Sequence, residues 1–193
     1  MNYLSHILLS GKDLSVAVGN FIGDGVKGRI REEYPREIRI GLFLHRVIDH
    51  LADTDPVNRE GREKLFLEFG KYAGVVQDMY HDHFLSLHWN EFQEKEINQY
   101  LDEFYSVADE YIHLFPRHQL MFLNGVRRGN WLVNYSDLEG MQRAFFGLSK
   151  RIGRPSGVER AGDFLKNNHS ALEKDFFNFF PIIEAKTAFE LER

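Results

Sequence analysis

The sequence predicts a single all-α domain spanning residues 1–193, and three observations carry that reading. Apolar residues recur at spacings of three and four through most of the chain. No stretch shows the sustained apolar–polar alternation of a half-buried strand. The five prolines, at 35, 56, 116, 155 and 181, each fall where a helix could begin or end. No linker-like tract, low-complexity run or internal repeat divides the chain.

The elements follow in order. Residues 36–51 carry Ile40, Phe43, Leu44, Val47, Ile48 and Leu51 on one apolar stripe, which predicts a helix. Residues 56–70 repeat the pattern with Val57, Leu65, Phe66 and Phe69. Pro56 opens that segment at a position where its missing N–H breaks no helical bond. Helices over 74–88, 92–115 and 116–131 follow, the last with Leu120, Leu123 and Trp131. Ser136 with Glu139 and Ser156 with Glu159 have the spacing of capping boxes, in which a hydroxyl and a carboxylate satisfy the first free N–H groups of a helix.

Composition narrows the function. The chain is 43% hydrophobic with 17 Phe, enough for a well-packed core. It has no cysteine, which excludes disulfides, thiolate metal sites and thiol nucleophiles. A formal net charge of −5 argues against general nucleic-acid binding. The opening MNYLSHILLS lacks a basic region, and His6 breaks its apolar run, so no signal peptide is expected. No window holds the roughly 18 apolar residues of a membrane span. The expectation is a soluble, cytoplasmic protein. An acidic protein partner would have to meet a local basic patch.

The informative residues are polar groups on apolar faces. His45 and Asp49 lie four apart, with Gly41 before them and Ala52 after them on the same line. Small neighbours let another helix approach, so this pair is expected to face protein rather than open water. Asp78 and Asp82 are also four apart, and their line continues through Leu85 and Trp89. Packed together without a cation, such carboxylates repel, and a divalent metal would relieve both repulsion and desolvation. His81 and His83 flank Asp82. In GNFIGDGVKG (19–28), Asn20 and Asp24 share a face if the segment is helical, while the glycines permit close backbone approach. His6 among Leu4, Ile7, Leu8 and Leu9 reads as a core imidazole, and His113, His118 and His169 as surface or structural ones. Oxygen and imidazole donors without sulfur favour Mn²⁺, Mg²⁺ or Fe²⁺ over Zn²⁺. No Gly-x-Ser-x-Gly elbow is present, so metal-assisted hydrolysis is the chemistry that remains.

As a group, NYLSH (2–6), GNFIGDGVKG (19–28), GLFLHRVID (41–49) and DMYHDHFLSLHW (78–89) resemble the acyl carrier protein phosphodiesterase family. GNWLVNY (129–135) and the late FFP extend that resemblance over nearly the whole chain. It implies an all-helical fold similar to the HD-type metal phosphohydrolases. It implies hydrolysis of the phosphodiester joining 4′-phosphopantetheine to a serine of acyl carrier protein, with Mn²⁺ or a similar ion. Carried onto this chain, it makes Asp24, His45, Asp49 and Asp82 metal ligands, with Asp78 next. His6, Asn20 and His83 would orient phosphate or water or complete the coordination, and Arg46 would neutralise phosphate charge. For the acidic carrier protein the basic candidates are Lys27, Arg29 and Arg31, then Arg127 and Arg128, then Lys150, Arg151 and Arg154. The only His-Asp dipeptide is His81–Asp82, which leaves open whether His81 or His83 faces the metal. The alternative is a metal phosphohydrolase acting on a nucleotide or small phosphate ester.

Overall fold

The computed structural model describes residues 1–192, and among them every regular element is helical. In chain order these are α1 (Tyr3–Leu8), α2 (Leu14–Phe21), α3 (Arg36–Thr54), α4 (Pro56–Phe69), α5 (Ala73–Leu87), α6 (Trp89–Phe92), α7 (Ile97–Glu110), α8 (Arg117–Gly129), α9 (Trp131–Asn134), α10 (Leu138–Ile152) and α11 (Ala161–Leu191). Short 3₁₀ turns at Gly23–Gly25, Gly70–Tyr72, Ile112–Leu114 and Val158–Arg160 connect some of them. None of the helices is long and apolar enough to cross a membrane.

One phenylalanine-rich core joins the helices. Phe21, Phe84, Phe104, Phe145, Phe176, Phe179 and Phe180 are all essentially inaccessible. Phe176 and Phe180 of α11 approach to 4.9 Å between ring centroids, and Phe92 meets Phe180 at 5.0 Å. Each such side chain contributes on the order of 1.5–3 kcal/mol through burial.

Two local features position the site. The first is the crossing of α2 and α3. A Cβ on Gly41 would overlap the Val16 carbonyl oxygen, and one on Gly19 would overlap the Ile38 carbonyl oxygen. The two helices therefore touch backbone to backbone, which sets Asn20 of α2 against His45 of α3. The second is the start of α1, only six residues long and without a side-chain cap of its own. Asp82 of α5 supplies that cap from across the molecule. Its carboxylate accepts the backbone N–H of Leu4 and of Ser5, both at 2.9 Å, and the Ser5 hydroxyl at 2.7 Å. A helix this short is marginal by itself, so α1 depends on that anchor and on its buried residues.

Several expectations change. Helix 36–51 forms but its stripe is rotated: Ile38, Gly41, Leu42, His45 and Ile48 face inward, while Phe43 is 56% exposed. In α4, Leu65 and Phe69 are buried, but Phe66 is exposed. The predicted helix 92–115 shortens to α7, preceded by a turn in which the Trp89 indole N–H donates to the Lys95 carbonyl at 2.8 Å and followed by the 3₁₀ turn Ile112–Leu114. The cap of α10 is Asp137 rather than Ser136; its carboxylate accepts the N–H groups of Glu139 and Gly140, each at 3.2 Å. Ser156 and Glu159 cap only a 3₁₀ turn. Pro181 lies inside α11, where burial of Phe179, Phe180 and Ile183 on either side offsets the lost backbone bond.

Replacing Gly41 by Ala forces α2 and α3 apart and should cost about 3 kcal/mol, since rigid backbone must move. Asp82→Ala leaves two buried N–H groups without an acceptor and should cost about 2–4 kcal/mol at pH 7. Urea unfolding of each variant measures these losses; wild-type stability in Asp82→Ala would show that α1 needs no cap.

Candidate active site

Two imidazoles meet at the junction of α1, α2 and α3. His6 is 3% exposed and His45 6%, with their rings stacked at 4.3 Å between centroids. Asn20 determines how they present themselves. Its amide nitrogen donates to the His6 carbonyl and to the Ser10 hydroxyl, both at 2.9 Å, so its oxygen must face the rings. That oxygen lies 2.7 Å from His6 Nδ1 and 3.3 Å from His45 Nδ1. An acceptor there calls for a proton on each Nδ1, and in the neutral tautomer that leaves each Nε2 a lone pair available to a cation.

Those two nitrogens point at carboxylates. His6 Nε2 lies 3.3 Å from Asp49 Oδ1, and His45 Nε2 lies 3.3 Å from Asp49 Oδ2 and 3.6 Å from Asp24 Oδ1. Gly23 allows this, because a Cβ at that position would overlap the His45 ring beneath the turn that carries Asp24. Asp78 of α5 enters from the other side, and the Met1 amine sits between it and Asp49, at 3.4 Å and 3.6 Å.

The electrostatics favour a cation. Burial lowers the basicity of His6, which keeps the imidazole neutral. Burial disfavours the Asp49 anion, yet His6, the Met1 amine and His45 outweigh it and hold the carboxyl well below the usual range. Asp24 is held low as well, first by the adjacent His45 imidazole whenever its Nε2 carries a proton toward that carboxylate. The His6 Nε2 atom has no hydrogen-bond partner and lies against the Asp49 carboxylate. His6, His45 and Asp49 offer donor atoms all within 4.8 Å of one another. Two imidazole nitrogens and a carboxylate, with two more carboxylates adjacent, fit a divalent ion, and Asn20 plays the orienting role that such ligands need.

The cluster closes one end of a cleft of about 770 Å³. Asp24, Asp49 and Asp78 line that end. Phe122, Trp131 and the small face of α10, Gly140, Ala144 and Gly147, line the rest of it. Tyr3 also lines the cleft; burial, and then the charge of Asp24, push its pKa up to about 12.

The structure thus brings together His6, Asn20, Asp24, His45, Asp49 and Asp78 out of the residues the sequence singled out. It places the others elsewhere. Both oxygens of Asp82 are occupied by the start of α1, and the side chain is fully buried outside the cleft lining. Burial pushes its pKa up to about 6 against those three hydrogen bonds, so it is ionised at neutral pH. The helix N-terminus, rather than a metal, resolves the cost of burying this second carboxylate. His83 engages the Tyr135 carbonyl at 2.6 Å through Nδ1 and His169 at 3.3 Å through Nε2. His81 stacks on Phe179 in the core, and burial drops its pKa to about 3. Neither imidazole faces the cluster. The Arg46 guanidinium is tied to the carbonyls of Gly28, at 2.6 Å, and Val26, so it staples the glycine loop instead of facing the cleft. Lys27, Arg29 and Arg31 are exposed on that loop, with Arg29 paired to Glu32, and none of them lines the cleft.

Tyr3, Tyr135 and Trp131 line the cleft without having been singled out, because no polar partner at helical spacing marks them. Their one sequence signal is membership of the NYLSH and GNWLVNY segments.

A model of the acyl carrier protein phosphodiesterase family matches residues 1–183. The chain belongs to that family. Proteins named acyl carrier protein phosphodiesterase from Escherichia coli O157:H7, Escherichia coli O139:H28 (strain E24377A / ETEC) and Escherichia coli (strain K12 / DH10B) are each 31% identical to it over 192 residues. Those matches cover 97% of this chain and 98% of each relative. No solved structure matches it. All four motifs that carried the resemblance lie within the matched span, and each brings a residue to the cluster: His6, Asn20 with Asp24, His45 with Asp49, and Asp78.

Mn²⁺ titration followed by electron paramagnetic resonance tests the donor set. Asp49→Asn should abolish tight binding, and Asn20→Ala should weaken it about 10–100-fold by releasing the ring orientation. Equal affinity in wild type and Asp49→Asn would place any bound ion elsewhere.

Proposed function

We propose that this family member is a divalent-metal-dependent phosphodiesterase that hydrolyses the bond between 4′-phosphopantetheine and the serine of holo-acyl carrier protein. The products are apo-carrier protein and free 4′-phosphopantetheine. The carrying observation is the pair of imidazoles, oriented by Asn20 so that both Nε2 atoms converge on Asp49, which lines a cleft of about 770 Å³. The names of the full-length relatives support the substrate.

His6, His45 and Asp49 would hold the metal, with Asp24 and Asp78 beside them, and Mn²⁺ suits this mixed donor set, as do Fe²⁺ and Mg²⁺. A divalent ion there supplies Lewis acidity toward a phosphoryl oxygen and acidifies water. The chain's own residues do the rest. Asn20 keeps both imidazoles in the donor tautomer. Asp24 and Asp78, open to the cleft, orient the attacking water by accepting its hydrogens. A new P–O bond forms from that water, the P–O bond to serine breaks, and the serine oxygen leaves with a proton. The cleft running from the cluster between Trp131 and α10 has room for the extended pantetheine arm.

Incubation of the purified protein with holo-acyl carrier protein and Mn²⁺, read by intact mass, tests this. The expected result is loss of the phosphopantetheine mass, blocked by chelator and by Asp49→Asn. Tight Mn²⁺ binding with no mass change would overturn the carrier-protein substrate and favour a nucleotide or small phosphate ester. A mass loss that survives the chelator would overturn the metal.

A further inference from the structure

The acidic end of the cleft sets a charge problem for the reading above. Asp24, Asp49 and Asp78 together exceed the charge of a divalent ion by one, and the Met1 amine brings the balance only to neutrality. A phosphodiester anion gains more charge on its equatorial oxygens as water attacks, and a single ion cannot contact all of them. A cation from another part of the cleft is required.

Among the described residues the cleft lining contains two arginines, both on α10. Arg143 lies 3.7 Å from Glu139 and 3.9 Å from Asp137, so its charge is already countered at the rim. Arg151 is different. It follows Gly147 by one helical turn, on the line that continues Gly140, Ala144 and Gly147 along the cleft wall. It makes no ion pair or hydrogen bond among the described residues. Tyr3, Tyr135 and the three carboxylates line the same cleft, and the Arg151 charge eases ionisation of both phenols. An unpaired guanidinium therefore shares the cleft with the carboxylate cluster and two phenols.

We propose that Arg151, with the Tyr3 and Tyr135 hydroxyls, forms the anion subsite that grips the non-bridging phosphate oxygens turned away from the metal cluster. This inference rests on the phosphodiesterase reading. The planar fork of arginine matches two phosphate oxygens at once, which an ammonium does not. Arg151 thus leaves the set of basic residues expected to dock the carrier protein and joins the chemistry, in the role the sequence offered to Arg46. The small side chains at 140, 144 and 147 have a function in the same picture, since they leave the space through which the guanidinium reaches inward.

The test uses the full chain as Arg151→Ala and Arg151→Lys, with holo-acyl carrier protein and with bis(4-nitrophenyl) phosphate, both with Mn²⁺. Because the guanidinium is exposed and unpaired, thermal unfolding and Mn²⁺ affinity should stay at wild-type values. Arg151→Ala should lower kcat about 100-fold on both substrates, the scale of losing one preorganised charge donor. Arg151→Lys should recover only part of it, and added guanidinium chloride should partly rescue Arg151→Ala. Unchanged kcat on the small diester would overturn the anion subsite, and a raised KM for carrier protein alone would return Arg151 to docking. Calorimetric binding of inorganic phosphate to the Mn²⁺-loaded protein separates the two readings. If the wild type cleaves neither diester yet binds phosphate at least tenfold more tightly than Arg151→Ala, the function fails and the anion subsite stands. If phosphate affinity is the same in both, the subsite is overturned whatever the activity.

Discussion

The amide of Asn20 is the interaction on which the site depends. Its nitrogen is fixed by the His6 carbonyl and Ser10, so its oxygen has no choice but to accept from two imidazoles. One side chain thereby decides the tautomer of both rings and aims two lone pairs at the same carboxylate. The amide can do this only because α2 and α3 touch at Gly19 and Gly41, where any side chain would overlap backbone. A constraint on helix packing becomes a constraint on proton position.

The buried carboxylate of Asp82 serves the same geometry from a distance. It holds the first turn of α1, and α1 holds His6. Without an acceptor for the N–H groups of Leu4 and Ser5, a six-residue helix has little reason to persist. The carboxylates at 78 and 82 are one turn apart yet act differently. The first faces solvent and a positive charge in the cleft, and the second faces a helix N-terminus in the core. Each is satisfied locally, so the expected mutual repulsion does not arise.

The cleft combines an acidic end with small and aromatic walls and one unpaired arginine. Such a division suits a substrate that is anionic at the reacting bond and extended beyond it. The acidic end supplies donors for a cation, and the far wall supplies positive charge without an acidic neighbour to cancel it.

Helical periodicity, the absence of alternation and the placement of most prolines determined the all-α class, and polar residues on apolar faces determined that His45, Asp49 and Asp78 deserved a role. The motif order determined the family. Helix phase and boundaries were less legible: Phe43 satisfies the apolar stripe of α3 yet points outward, because Gly41, Leu42 and His45 claim the inner face. The sequence could not distinguish Asp78 from Asp82, or Arg46 from Arg151. Spacing along one helix says which groups share a face, while their chemistry depends on what lies opposite. For Asp82 that was the start of α1, for Arg46 two loop carbonyls, and for Arg151 an open cleft. These partners are remote in the chain, and only tertiary packing brings them into contact.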